Sequence, residues 1–369
     1  MEQLITVGLP IKGKPKYHNI DKDRILLENL LIGKGFHWEK SISVTLPGIV
    51  RETDDNEFPL INILPIEEYL KCVVGSEMNP RSPIEFLKAH AIISRSWALG
   101  KILHSHPEGG SKTDCTGDSL IGWDDTADHL RFDVCSDDHC QRYQGLQEVS
   151  EKALASLSLT EGMVITDKKG KLIDARFSKC CGGKTEIFST CWQEQKMPCL
   201  ESVEDPWCDL TQLSKKEQLN ILSLIYKEYD LSTQGGYEWE TNIKKEEIRK
   251  NLSQKFRRDI GEIISLRIIE RGASGRIKYI ELTGTEGRIT VGKELWIRRI
   301  LSPTHLYSSW FNIQDKGDYL NLKGKGWGHG VGLCQLGAAR MALEGKTAEE
   351  ILQFYYPGSK IVEAGGVRL

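Results

Sequence analysis

Glu77 closes an apolar stripe formed by Ile66, Tyr69, Leu70, Val73 and Val74, the 3.6-residue recurrence of one helix face. A carboxyl in that setting is expected to be partly desolvated, which favours its protonated form and makes a general acid. The plainer alternatives are a helix-terminal surface residue or one paired with a core arginine. Arg95, in the following helix, fits two expectations: it binds a sugar or carboxylate in the groove holding Glu77, or it anchors Glu77 as a salt bridge.

A second group is His129, Cys135 and Cys140, with His139 beside the last cysteine. Thiolate and imidazole donors at loop spacings suit zinc, and so few ligands would leave a coordination position open. Two structural thiols or one disulfide fit the same spacing. A third group is the glycine-rich run Gly324–Gly332, which contains Trp327 and His329. Alternating glycines allow positive φ and close backbone approach, suiting the wall of a cleft. Trp327 and His329 suit a sugar-stacking platform, and a structural histidine is the alternative. The run is not a phosphate loop, because it lacks the Lys-Ser/Thr ending and a surrounding βαβ unit. The fourth group, Ser178-Lys179-Cys180-Cys181-Gly182-Gly183, offers thiols but no neighbouring base or oxyanion hole, which argues against a cysteine hydrolase.

The elements that must position these groups read as follows. Pro65 and the acidic pair Glu67 and Glu68 open a helix that Met78-Asn79-Pro80 ends. Ser82-Pro83-Ile84-Glu85 reads as a capping box for a second helix, with Phe86, His90, Ile93 and Trp97 along one stripe and small residues between. Before them, residues 1–60 read mostly as strands, including Leu4–Leu9, Ser41–Leu46 and Leu60–Leu64. A polar loop runs from His104 to Asp138. Val164–Thr166 and Leu172–Phe177 suggest a hairpin. Residues 205–260 are charge-rich and read as a helical insertion, with helices near Lys215–Tyr229 and Lys244–Asp259 around Gly235-Gly236. Strands are expected at Ile263–Glu270, Ile277–Thr283 and Arg288–Val291, then helices at Ala338–Glu344 and Ala348–Tyr355.

Composition sets the bounds. The 369 residues are 39% hydrophobic and 27% charged with a net charge of -3, which suits a globular protein with a real core and not a nucleic-acid or anionic-membrane binder. No run approaches the ~18 apolar residues of a membrane span. The N-terminal MEQLITVGLPIKGK lacks the basic-then-apolar pattern of a signal peptide, so either a cytosolic chain or one lacking its export segment is expected. Of ten cysteines, several cluster between Cys135 and Cys208, whereas Cys72, Cys115 and Cys334 stand alone in the sequence.

Four stretches together resemble the SpoIID/LytB family, that of stage II sporulation protein D and amidase enhancers. In order they are LPIEEYLKCVVGSEM…LKAHAIISRSWAL, VCSDDHCQRYQG, SKCCGGKTE and GKGWGHGVGLCQLGAARMALEGKTAEEILQFYYPGSKI. The resemblance spans roughly residues 60–200 and 320–360. It implies an α+β fold of mixed antiparallel strands with a catalytic helix pair, here a β-rich segment 1–60 followed by a catalytic domain 61–369 that carries the 205–260 insertion. The implied activity is a peptidoglycan lytic transglycosylase that yields 1,6-anhydro-MurNAc ends, with Glu77 as acid and then base. The implied alternative is a non-catalytic activator of a cell-wall amidase. The metal loop would be His129, Cys135 and Cys140, holding Zn2+. A zinc-centred hydrolase is a third reading. The matched blocks also supply Gln141, Tyr143, Ser178, Trp327, His329 and Gln335 as candidate substrate contacts beside Arg95. Glycan strands, and an amidase, are the implied partners, and the substrate implies an extracytoplasmic location. Cys181 and Cys334 are mild departures from the family pattern, and the insertion and the missing export signal are larger ones.

Overall fold

The computed structural model describes residues 3–34, 39–79, 81–103, 113–114, 117–123, 129–137, 140–147, 149–227, 237–304 and 306–367. The fold is α+β, with antiparallel-rich sheets and helices packed around two hydrophobic cores. The chain begins in a four-stranded sheet ordered Ile49–Glu52, Leu60–Pro65, Leu4–Leu9 and Val134–Cys135. Leu60–Pro65 pairs antiparallel with Leu4–Leu9, and the short Val134–Cys135 joins its other edge in parallel. Gly8 permits that last contact, because a Cβ there would sit 2.4 Å from the Phe132 ring.

Leu60–Pro65 feeds directly into helix α1, Ile66–Glu77, and α2, Ile84–Leu103, packs against it. The expected stripe of α1 is buried. In α2 the stripe Phe86, His90, Ile93 and Trp97 is buried too, but so are Ser94, Arg95, Ser96 and Ala98 on its other sides. Helix α3, Glu151–Leu159, capped by the Ser150 hydroxyl, covers the helix pair. Ser96 links α2 to the next strand: its hydroxyl donates to Ile92 O at 2.7 Å and accepts the Ile165 N–H at 2.9 Å. An N-terminal antiparallel sheet, Ile11–Asn19, Arg24–Ile32 and Lys40–Pro47, contributes Leu27, Leu30, Val44 and Leu46 to this same core.

A second core lies among the later strands. Ile263–Arg271, Ile277–Gly284, Arg288–Gly292, Ser119–Gly122 and Thr113–Asp114 form one sheet. Glu238–Lys244, Tyr319–Lys325 and Phe311–Asp315 form another. Helices Lys245–Phe256 and Glu294–Leu301 pack with them through Ile248, Leu252, Ile297 and Ile300.

Some expectations change. The expected hairpin closes only at its turn, through the antiparallel bridge between Thr166 and Leu172; Met163–Thr166 also pairs with Lys360–Glu363, while Phe177–Ser178 pairs with Leu333–Cys334. Residues 205–260 are not purely helical. Glu238–Lys244 is a strand matched residue for residue to Tyr319–Lys325, and helix Lys215–Ile225 sends Leu222 and Ile225 into the first core. The sequence period there is dominated by charge, which hides a strand whose alternate side chains Trp239 and Ile243 face the second core. Ser82 and Glu85 are engaged elsewhere than in a capping box: the Ser82 hydroxyl donates to Leu224 O, and Glu85 accepts the Ala348 N–H and pairs with Lys88. Gly235-Gly236, and about half of the stretch from His104 to Asp138, lie outside the described residues.

Candidate active site

Glu77 is the last residue of α1 and only 7% exposed. Met78 closes the helix by donating its N–H to Val74 O at 3.1 Å. The turn beyond is fastened by the last turn of helix Lys215–Ile225 and the two residues after it. Asn79 Nδ2 donates to Ser223 O at 3.1 Å and Tyr226 O at 2.8 Å, and Lys227 Nζ donates to Gly75 O at 2.8 Å.

The opposite wall is the strand-less segment 140–145. Its backbone donates twice to the last turn of α1: Arg142 N–H to Glu77 Oε1 at 3.0 Å and Gln144 N–H to Ser76 Oγ at 2.9 Å. The described contacts of Glu77 engage Oε1, and Oε2 has no protein partner among the described residues. Beneath lies a stacked pair, Tyr69 and Tyr143, with ring centroids 5.4 Å apart. Tyr69 donates to Gln141 Oε1 at 3.0 Å, and Tyr143 donates to Asn62 Oδ1 at 2.5 Å. Burial, and then the Cys140, Cys135 and Glu77 charges, holds the Tyr69 phenol well above its ordinary range, so it serves as a donor.

His129, Cys135 and Cys140 converge beside this wall, with ligand atoms all within 4.8 Å of one another. Cys140 Sγ lies 3.4 Å from His129 Nε2 and accepts the Cys135 N–H at 3.3 Å. The three are close enough to share one ion, and Cys140 is only two residues from the N–H that holds Glu77. His139 lies outside the described residues.

Several expected substrate contacts are engaged by protein partners. Arg95 neither holds Glu77 nor opens to a groove. At 2% exposed, it grips Glu67 with Nε to Oε1 at 2.7 Å and Nη2 to Oε2 at 2.8 Å, and Nη1 donates to Met163 O at 3.1 Å. The reason is geometric: α2 is buried on every side at this level, so a guanidinium there needs a partner from the neighbouring helix. Tyr143 is fully buried and committed to Asn62. Gln335 is buried with its Nε2 3.3 Å from His90 Nε2. Gln141 is buried, but its Nε2 has no partner among the described residues, and the same holds for the hydroxyl of buried Ser178.

Trp327 and His329 are half-buried. Trp327 sits between Tyr307 and Tyr226, centroids 5.6 and 6.3 Å away, and the Tyr226 carbonyl is the one bound by Asn79. His329 Nδ1 accepts the Val331 N–H at 3.0 Å. Burial, then the charges of Arg176, Arg276 and Arg298, pushes its pKa well below the ordinary histidine range and keeps the ring neutral. What the sequence did not disclose is why the glycines are there. The run wraps the guanidinium of Arg276, fully buried, which donates to Gly328 O, Cys181 O and Cys180 O at 3.1, 2.8 and 3.3 Å. A Cβ on Gly330, at φ 76°, would lie 2.5 Å from Arg276 Cζ. A lone arginine just before strand Ile277–Gly284, 48 residues ahead of the run, carries no local signal.

Residues 54–166, which include Glu77 and the His/Cys trio, match the family model described as Stage II sporulation protein. Residues 186–332 match Domain of unknown function DUF8618. An uncharacterized protein of Brachyspira hyodysenteriae is 30% identical over 304 residues, 82% of this chain and 68% of its own length. Stage II sporulation protein D of Bacillus subtilis is 26% identical over 348 residues, 94% of this chain and 87% of its own. The chain belongs to the SpoIID/LytB family. The amidase enhancer of Bacillus subtilis is 25% identical over 319 residues, 79% of this chain but 40% of its own length. SpoIID/LytB membership gives the chain a cell-wall-related role. No helix among the described residues is long and apolar enough to cross a membrane.

Proposed function

We propose that the chain is a lytic transglycosylase that cleaves the bond between N-acetylmuramic acid and N-acetylglucosamine in glycan strands outside the cytoplasm. The observation that carries this reading is Glu77: a 7%-exposed carboxyl held at Oε1 by the Arg142 N–H, with Oε2 unengaged. Glu77 donates its proton to the departing glycosidic oxygen, and the C1–O bond breaks. The resulting carboxylate, steadied by the Arg142 N–H, takes the proton of the muramoyl O6 hydroxyl as O6 bonds to C1. One group serves as acid and then base, so the second carboxylate of a hydrolase is not required. Trp327 supports the reading as a half-buried aromatic face for a sugar ring.

The His129, Cys135 and Cys140 donors fit zinc, since ligand atoms around a tetrahedral ion lie ~3.5 Å apart and the Cys140–His129 contact is 3.4 Å. Bound zinc would clamp the loop that aims the Arg142 N–H, which is a positioning role. Digestion in water enriched in oxygen-18 tests the reaction class. The proposal expects products with anhydro ends and no heavy oxygen; heavy oxygen at a new reducing end means hydrolysis.

The similarity to an amidase enhancer supports a second reading, activation of a partner amidase without intrinsic cleavage. Protein that releases nothing from naked glycan strands, yet accelerates peptide release by an added amidase, fits that reading instead.

A further inference from the structure

We propose that Cys181, Asp205, Cys208 and Cys334 form a second metal site, a buried tetrahedral zinc centre that staples the segment around 205–208 to the two strand ends beneath the glycine run. Their ligand atoms all lie within 4.8 Å of one another. The four residues are at most 1% exposed. Cys181 Sγ is 3.4 Å from Cys208 Sγ and 3.2 Å from Asp205 Oδ2.

Three features point to a cation. First, Asp205 is a carboxyl with no exposure, and its partners are the Trp207 and Cys208 N–H groups, the Cys181 thiol and the Tyr355 hydroxyl. No basic side chain faces it among the described residues. A buried carboxylate is normally paired with a cation or bound to metal. Second, the sulfurs are met by donors. Gly183 N–H donates to Cys208 Sγ at 3.1 Å, Cys181 N–H to Cys334 Sγ at 3.2 Å and Gly337 N–H to Cys334 Sγ at 3.4 Å. N–H groups aimed at sulfur stabilise thiolate, and they are the outer-shell contacts that orient metal ligands. Third, the surroundings are shaped for the cluster: Gly337 has no side chain where a Cβ would lie 2.5 Å from Asp205 Oδ2, and Tyr355 O–H holds that same oxygen at 2.9 Å.

Three thiolates and a carboxylate in a closed pocket are the donors of a structural zinc site with no open position. A single disulfide would use two sulfurs and leave Asp205 buried without a counter-charge. The centre joins parts of the chain remote in sequence: Cys181 follows strand Phe177–Ser178, Asp205 caps and Cys208 ends the short turn Pro206–Cys208, and Cys334 caps helix Gln335–Leu343. Cys334 is therefore not solitary. Cys180 adjoins the Cys208 and Cys334 sulfurs but stands outside the four-ligand set.

The test uses the full chain produced with zinc and purified reduced, in a Cys140→Ser background that disables the loop trio whether or not it binds metal. The expected content is one zinc per chain, retained through dialysis against a chelator, and unchanged by adding Cys180→Ser. Adding Cys208→Ser should remove it. Because that variant could misfold, the Cys140→Ser chain is also reconstituted with cobalt alone, where thiolate-to-cobalt charge-transfer absorption is expected. A Cys140→Ser chain with neither zinc nor that absorption overturns the proposal. So does a Cys181–Cys208 disulfide found by mass mapping of the unreduced protein, or a zinc that survives Cys208→Ser and leaves with Cys180→Ser.

Discussion

At the scale of single residues, burial decides which polar groups are free to act. Arg95 has the residue type of a substrate clamp, but its fork is filled by Glu67, whose side chain is 31% exposed while that of Arg95 is 2%. Glu67→Ala would leave a buried guanidinium unpaired, and we expect a loss of about 3 kcal/mol in urea unfolding, the low end of the range for breaking a buried pair. Folded protein with that substitution should keep its KM for glycan strands; a large KM rise would return Arg95 to the substrate site. His90 gives a pH prediction. Burial, and then the charge of Lys179, lowers its pKa to about 3, against an unfolded value of about 6.5. The folded state prefers the neutral ring, so this contribution is complete above the unfolded value and lost as pH falls from there toward the folded one. Between pH 6.5 and 5 it amounts to ~2 kcal/mol. His90→Gln should lose less stability than wild type over that interval by about this amount, measured as the difference between their denaturation midpoints; equal losses would mean His90 titrates normally.

At the scale of elements, the glycine run shows how the backbone of a motif can be legible while the group it wraps is not. Its positive φ angles at Gly326, Gly328, Gly330 and Gly332 were foreseeable from composition. The buried Arg276 that occupies the loop was not, because the pairing depends on tertiary approach. Gly317, at φ 85° with open space around it, supplies the control. Gly317→Ala should cost about 1 kcal/mol from backbone conformation alone, and Gly330→Ala clearly more, since the new methyl meets the guanidinium. Similar losses at the two positions in thermal unfolding would show that Arg276 does not fill the run. The helix pair was legible for the opposite reason: α1 has a regular apolar period and a proline start, both local signals. The partner of strand Met163–Thr166 was not, because Lys360–Glu363 lies at the far end of the chain and register between distant strands leaves no local trace. For the site, Glu77 and the His/Cys trio could be read from type and spacing, whereas the Asn79 and Lys227 contacts that hold the end of α1 lie in a charge-rich stretch that offers no pattern.

Across the whole molecule, two cores are tied by a reciprocal exchange. Glu186, fully buried, accepts the Ala273 and Ser274 N–H groups at 2.9 and 3.1 Å and the Ser274 hydroxyl at 2.6 Å. Arg276, from the same turn, reaches back to the carbonyls of Cys180 and Cys181. Removing either side strands buried charge or buried donors, at a cost of several kcal/mol. Glu186→Ala should therefore split a single calorimetric transition into two, with the strands of the second core exchanging amide hydrogens earlier. One unsplit transition with uniform exchange would mean that the cores are coupled elsewhere.

The proposed chemistry stands on the Glu77 carboxyl. Its most direct test is mass spectrometry of naked glycan strands digested by wild type and by Glu77→Gln, which keeps the side chain's size and the Arg142 contact but has no acidic proton. The account predicts anhydro-muramoyl ends from wild type and a loss of at least about a thousandfold in the variant, as expected when a single group is both acid and base. Anhydro products formed at comparable rates by a folded Glu77→Gln chain would contradict it.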